Sequence, residues 1–237
     1  PSALARWAVV LLLSACSLTS PQEIAPQGAQ QAPVPPPLGD SAPRSVVLFV
    51  GDGMGEEHLR VAEAFRGEAV SDRFAHATTM STVNADGEIT DSAASATAMA
   101  TGTTVRNGVI GQARPGDGDD LVTVVDSYAD EGRAFGVVAT VELTHATPAA
   151  FAAHARSRTF RSEIARDYLR ESRPQLLVGG GGAGLEADAA RTAGYTVYET
   201  ITALDGESDA SPVAVLMGSG HLPYVVDADR PSLAAMV

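Results

Sequence analysis

The run Ser45-Val46-Val47-Leu48-Phe49-Val50, closed by Gly51-Asp52-Gly53-Met54-Gly55, limits the fold more than any other stretch of the chain. A strand that is apolar at almost every position must be covered on both faces, which is the condition of a parallel sheet with helices on each side. The glycines let the backbone turn tightly at the strand's carboxyl end, and a helical pattern follows from Glu56 to Phe65. Similar alternation recurs. It predicts a helix near Leu121 to Glu131, a strand over Phe135 to Thr140, helices after Pro148 and from about Arg161 to Leu169, and a short strand from Gln175 to Val178. This rhythm predicts an α/β fold, a three-layer, doubly wound, mostly parallel sheet with reactive residues at the carboxyl ends of its strands. The run Gly179 to Gly182 lacks the ending of a phosphate loop and reads as a structural turn.

The chain's 237 residues suffice for one α/β domain or two small ones. A net charge of −13 argues against a nucleic-acid-binding surface, because a polyanion would be repelled. There is no Lys, so all 16 cationic side chains are Arg. Schiff-base chemistry and the phosphate-loop lysine are thereby excluded, while Arg remains suited to gripping oxyanions.

Residues 1–16 read as an export signal. Arg6 precedes the short apolar run Trp7 to Leu13, which is followed by Ser14-Ala15-Cys16. Such a run is too short to span a bilayer, where about 20 apolar residues are needed. Leu13-Ser14-Ala15-Cys16 resembles the lipobox of bacterial lipoproteins, which implies lipid anchoring through Cys16 and a periplasmic or cell-surface location. As the sole cysteine, Cys16 has no intramolecular disulfide partner. Residues 17–44, rich in Pro and Gln, read as a tether, and 45–237 as the folded part. The first residue is Pro, and a few residues are expected upstream.

Three places carry candidate chemistry. Asp52 follows the first strand, where a carboxylate serves either as metal ligand or acid/base group, or as an Asx-turn or helix cap. Thr90-Asp91-Ser92 opens a helix of small residues, TDSAASATAMATG. The positive end of that helix would favour an oxyanion at Ser92, and the same three residues are also ordinary caps. Thr144-His145-Ala146-Thr147-Pro148 opens another helix, with Arg158 beyond it. Here an imidazole and a hydroxyl could stand near a metal and a guanidinium could grip phosphate, or Thr147 caps a helix and Arg158 is a solvated helix charge. The five histidines have no zinc-type spacing.

Together these segments resemble the alkaline phosphatase family. The matching motifs are VVLFVGDGMG (Val46 to Gly55), TDSAASATAMATG (Thr90 to Gly102) with Gly108-Val109-Ile110-Gly111 after it, and THATPAAFAAHARSR (Thr144 to Arg158). The later LVGGGG and HLPYVVDADRPSLAAM stretches resemble connecting regions of the family. The resemblance implies that Ser92 is the nucleophile of a phosphoserine intermediate, that Arg158 binds the phosphate, and that Asp91 orients Arg158. It also implies that Asp52 bridges a zinc and a magnesium, that Ser92 lies against a zinc, that Thr147 is a magnesium-site hydroxyl, and that His145 acts at that site through water. Two Zn2+ and one Mg2+ are the implied cofactors, small-molecule phosphate monoesters the implied substrates, and a homodimer is compatible with the family. Family members extend beyond this length, and their further part carries most zinc ligands. The fold is therefore expected to be C-terminally incomplete, and these 237 residues alone to be inactive or nearly so.

Other readings fit less well. Ser92-Ala93-Ala94-Ser95-Ala96 lacks the sulfatase signature, and phosphodiesterases of the same superfamily more often present a Thr nucleophile. No G-x-S-x-G elbow marks a serine hydrolase. A surface-tethered phosphate-binding lipoprotein without catalysis is the alternative from outside the enzymes.

Overall fold

The computed structural model describes residues 9–12, 45–68, 74–76, 78–204, 212–227 and 231–237. Cys16, Trp7 and the 17–44 tether lie outside them. The chain forms two compact units, Pro1–Thr82 and Val83–Val237.

In the first unit, strand β1 (Val9–Leu12) pairs in parallel with β2 (Val47–Val50). Four residues of the segment read as an export signal are thus a strand here. Helix α1 (Glu56–Arg66) follows the Gly-Asp-Gly turn, starts at Gly55 and ends at Gly67, whose φ of 76° is the left-handed conformation that glycine adopts without strain. Asp52 lies in the turn and is exposed, and Gly55 is the helix cap.

The second unit contains α2 (Ser92–Thr101), α3 (Val124–Asp130), β3 (Gly136–Glu142), α4 (Ala146–Ala152), α5 (Arg161–Arg170), β4 (Leu176–Gly181), α6 (Ala187–Thr192), β5 (Thr196–Tyr198), β6 (Val213–Ser219) and α7 (Leu233–Met236). Its sheet is parallel throughout, in the order β3-β4-β6-β5. Side chains alternate between the faces. Leu177, Ala214 and Leu216 join the main core with Leu143, Ile164, Tyr168 and Leu185, whereas Val178 and Val215 meet Met236 on the other side. Burial of each such Leu or Ile contributes about 1.5–3 kcal/mol, and coverage of both faces accounts for the apolar runs of β4 and β6. By contrast β2, expected to be covered on both faces, has no buried residue and among the described residues pairs only with β1.

Two boundaries depart from the sequence reading. The helix after Pro148 ends at Ala152, so Arg158 lies in the loop between α4 and α5 and not on a helix. Gly179, Gly180 and Gly181 are part of β4 and not a turn, and all three are buried. The reason is close approach: a Cβ on Gly180 would collide with the carbonyl oxygen of Gly220, and one on Gly179 would come within 2.9 Å of the Ala139 carbonyl. The segment after β6 therefore lies directly on β4, with Gly220 N–H donating to Gly181 O at 3.2 Å and Leu222 N–H reaching Thr140 O on β3 at 3.1 Å. Gly180→Ala is expected to lower the unfolding free energy by about 1–3 kcal/mol, the usual cost of overpacking, as measured by urea denaturation. An unchanged midpoint would show that the backbone yields without cost.

Candidate active site

Helix α2 starts at Ser92 because Asp91, in extended conformation at the cap, turns its side chain back to accept the Ala94 N–H at 2.9 Å. The other carboxylate oxygen accepts the Gly108 N–H at 3.0 Å and a guanidinium N–H from Arg158 at 3.1 Å. The same Arg158 nitrogen donates to Ser92 Oγ at 2.9 Å. Cap and candidate nucleophile are thus neighbours in sequence, and both contact an arginine 66 and 67 residues further on.

The face of α2 behind Ser92 is made of buried Ala93, Ala94, Ala96, Thr97 and Ala100. It packs on α4, which buries Ala146, Ala149, Ala150 and Ala152, and small residues on both helices allow a close approach. His145 caps α4, and Thr147 lies half-buried in its first turn. His145 Nε2 is 3.4 Å from Arg158 Nη2, and its ring meets that of His221 at 5.2 Å and 81°.

Arg158 is held by its own loop. Ile110 and Ala155 exchange backbone hydrogen bonds at 3.0 and 2.9 Å, and Arg158 N–H donates to Gly108 O at 2.7 Å. Asn107 accepts the Asp91 N–H at 2.9 Å and donates to Ile89 O at 3.0 Å. At the loop's start, the His154 N–H donates to Asp167 Oδ2 at 2.7 Å, while the His154 ring stands between Leu121 O, at 3.0 Å, and Asp167, at 3.5 Å. Burial pushes the His154 pKa down, but the Asp167 hydrogen bond, the Leu121 carbonyl and the charge of Asp120 outweigh it and raise the value to about 9.

The structure therefore brings together Asp91, Ser92, Arg158 and His145, with Thr147 half a turn from His145 on α4. Asp52 belongs to the first unit. In their chemistry, the hydroxyls of Ser92 and Thr147 and the carboxylate of Asp52 suit a hard cation, and the imidazole of His145 suits zinc. Among the described residues, however, no three His, Cys, Asp or Glu side chains stand close enough to hold an ion. Asn107, Gly108, Glu142, Arg161 and His221 were not singled out by residue chemistry. For Gly108 the sequence did hold a signal, since it opens the Gly-Val-Ile-Gly element after α2.

The alkaline phosphatase family model matches residues 43–181. Alkaline phosphatase 4 of Bacillus subtilis is 31% identical over 216 residues, covering 81% of this chain and 46% of that protein. Streptomycin-6-phosphate phosphatase of Streptomyces griseus is 30% identical over 230 residues, covering 78% of this chain and 50% of the relative. Among solved structures, the cold-active alkaline phosphatase of a psychrophilic Shewanella superposes with a TM-score of 0.69 at 30% identity, over 79% of this chain and 49% of that one. A His-to-Glu variant of the TAB5 alkaline phosphatase, with Mg bound, matches at a TM-score of 0.57 and 25% identity, over 70% of this chain and 53% of that one. The chain belongs to the alkaline phosphatase family, and it spans about half the length of the curated relatives it matches.

The imidazolium of His154 makes a pH-dependent contribution to the loop. Its pKa is raised from 6.5 to about 9 on folding, so its stabilisation is complete below about pH 6.5 and is lost as the pH rises through about 9. Unfolding free energy, measured by denaturation across this range, is expected to fall toward high pH in the native protein and to lose that slope in His154→Gln. A slope that survives the substitution would assign it to another group.

Proposed function

We propose that the protein hydrolyses phosphate monoesters through a phosphoserine at Ser92. The observation that carries this reading is the single guanidinium nitrogen of Arg158 within 2.9 Å of Ser92 Oγ and 3.1 Å of Asp91, at the first turn of a ten-residue helix. Arg158 can bind a phosphoryl group and hold its phosphorus opposite Ser92 Oγ, and the positive end of α2 favours the dianion at that place. Asp91 holds Arg158 in orientation. Ser92 Oγ gives up its proton and bonds to phosphorus as the bond from phosphorus to the ester oxygen breaks and that oxygen takes up a proton. Water then loses a proton and attacks phosphorus, the bond to Ser92 Oγ breaks, Oγ regains a proton and inorganic phosphate is released. Zinc and magnesium, held in part by Asp52, Ser92, Thr147 and His145, would lower the pKa of the serine hydroxyl and neutralise developing charge.

Substrates in this reading are small phosphate monoesters, because the described contacts address the phosphoryl group. Export and anchoring through Cys16 belong to the same proposal and rest on the Leu13-Ser14-Ala15-Cys16 pattern. The test uses the full-length protein with zinc and magnesium and a chromogenic phosphate monoester. Turnover is expected to vanish on chelation and to fall by about 1,000-fold or more in Ser92→Ala, with radiolabel from the substrate trapped on Ser92 by acid quench. Turnover that survives both treatments would overturn the proposal, and phosphate binding without turnover would favour the tethered binding protein.

A further inference from the structure

We propose that His221 is a positioning residue for the phosphate grip: its ring holds His145 in the place from which His145 contacts Arg158. The inference rests on the phosphate-binding reading of Arg158. It starts from the glycines of β4 and β6. With no side chain on Gly180, the chain leaving β6 can cross the end of β4 in contact with its backbone, and Gly220 takes a φ of 129°, in the region that favours glycine. Leu222 then hydrogen-bonds to Thr140 on β3 at 3.1 Å. Between these two anchors stands His221, delivered to the carboxyl end of a strand to which β6 is not paired.

The ring of His221 is fixed on arrival. Its Nδ1 accepts the Glu142 backbone N–H at 3.2 Å, which leaves the rest of the imidazole directed by that bond. Glu142 is itself restrained, because its carboxylate pairs with Arg161, three residues after Arg158. Held in this way, the His221 ring meets the His145 ring nearly perpendicularly, 81° at 5.2 Å between centres, the edge-to-face arrangement aromatic rings prefer. His145 Nε2 lies 3.4 Å from Arg158 Nη2, the guanidinium nitrogen other than the one that contacts Asp91 and Ser92. Arg158 is thus braced from two sides: Asp91 holds one nitrogen, and His145, backed by His221, stands at the other. A planar guanidinium so held has little freedom to rotate, which is the requirement for bidentate recognition of phosphate oxygens.

A purely structural role for His221 makes a different prediction, because it would reside in the hydrogen bond to Glu142. Asn places an amide oxygen where Nδ1 stands and so preserves that bond while removing the ring. His221 is exposed, so the substitution leaves no cavity. The experiment is titration calorimetry of inorganic phosphate with the full-length protein, metal-loaded and again after chelation, for the native protein, His221→Asn, His145→Ala, the double variant and Arg158→Ala. His221→Asn is expected to keep the native melting temperature and to weaken phosphate binding about fivefold, the factor that loss of one ordinary interaction amounts to. In the His145→Ala background the same substitution is expected to add nothing further, since the ring it removes has no partner left to place.

Native affinity in His221→Asn, or an equal loss with and without His145, overturns the positioning role. Arg158→Ala tests the reading beneath it. Loss of phosphate binding there with no effect of His221→Asn refutes this inference alone, whereas native binding in Arg158→Ala refutes the phosphate site itself.

Discussion

The second unit depends on one carboxylate. Asp91 accepts the Ala94 N–H with one oxygen and the Gly108 N–H and Arg158 guanidinium with the other, so a single side chain starts α2, fixes the loop after it and orients the arginine from the α4–α5 loop. Each bond is ordinary in strength, about 0.5–1.5 kcal/mol net, or more where the arginine charge is involved. Their convergence matters more than their sum. Ser92 is set against Arg158 because the residue before it is already committed to both helix and loop, and the Gly108–Arg158 backbone bond closes the loop onto the same point.

Small residues make that convergence geometrically available. Alanines on the facing sides of α2 and α4 bring the two helix starts together, and with them Ser92 and His145. Gly179 to Gly181 perform the same service at the sheet, where the chain after β6 lies on β4 without side chains between them. A close-packed interior cannot absorb even one added methyl at such places without movement. The cost is that few large side chains remain near the site, and the core is carried further along the sheet by Leu143, Ile164, Tyr168, Leu177 and Leu185.

Much of this was legible in the sequence. Apolar runs and helical spacing indicated the α/β alternation, and the small-residue helix after Asp91-Ser92 began where expected, because a cap residue and an alanine face are both local properties. The glycine run misled because local propensity associates glycine with turns, whereas here close tertiary approach keeps it extended. Arg158 was identified by motif resemblance, but its loop setting was not, since α4 stops at Ala152 with no glycine or proline signal there. His221, Glu142 and Arg161 were illegible for a different reason. Their contacts join residues up to 79 apart and arise only when β3, β4 and β6 assemble, so no spacing rule connects them.

The most direct test of the role given to Asp91 is a double-mutant cycle on phosphate affinity between Asp91→Ser and Arg158→Ala, read by calorimetry. Serine retains the helix cap and loses the bonds of the second carboxylate oxygen, to the guanidinium and to the Gly108 N–H. Strong coupling is expected, with Asp91→Ser weakening phosphate binding in the presence of Arg158 and having little effect in its absence. Additive losses would mean that Asp91 influences phosphate binding by a route other than Arg158, through its bond to the Gly108 loop, and would contradict the orienting role.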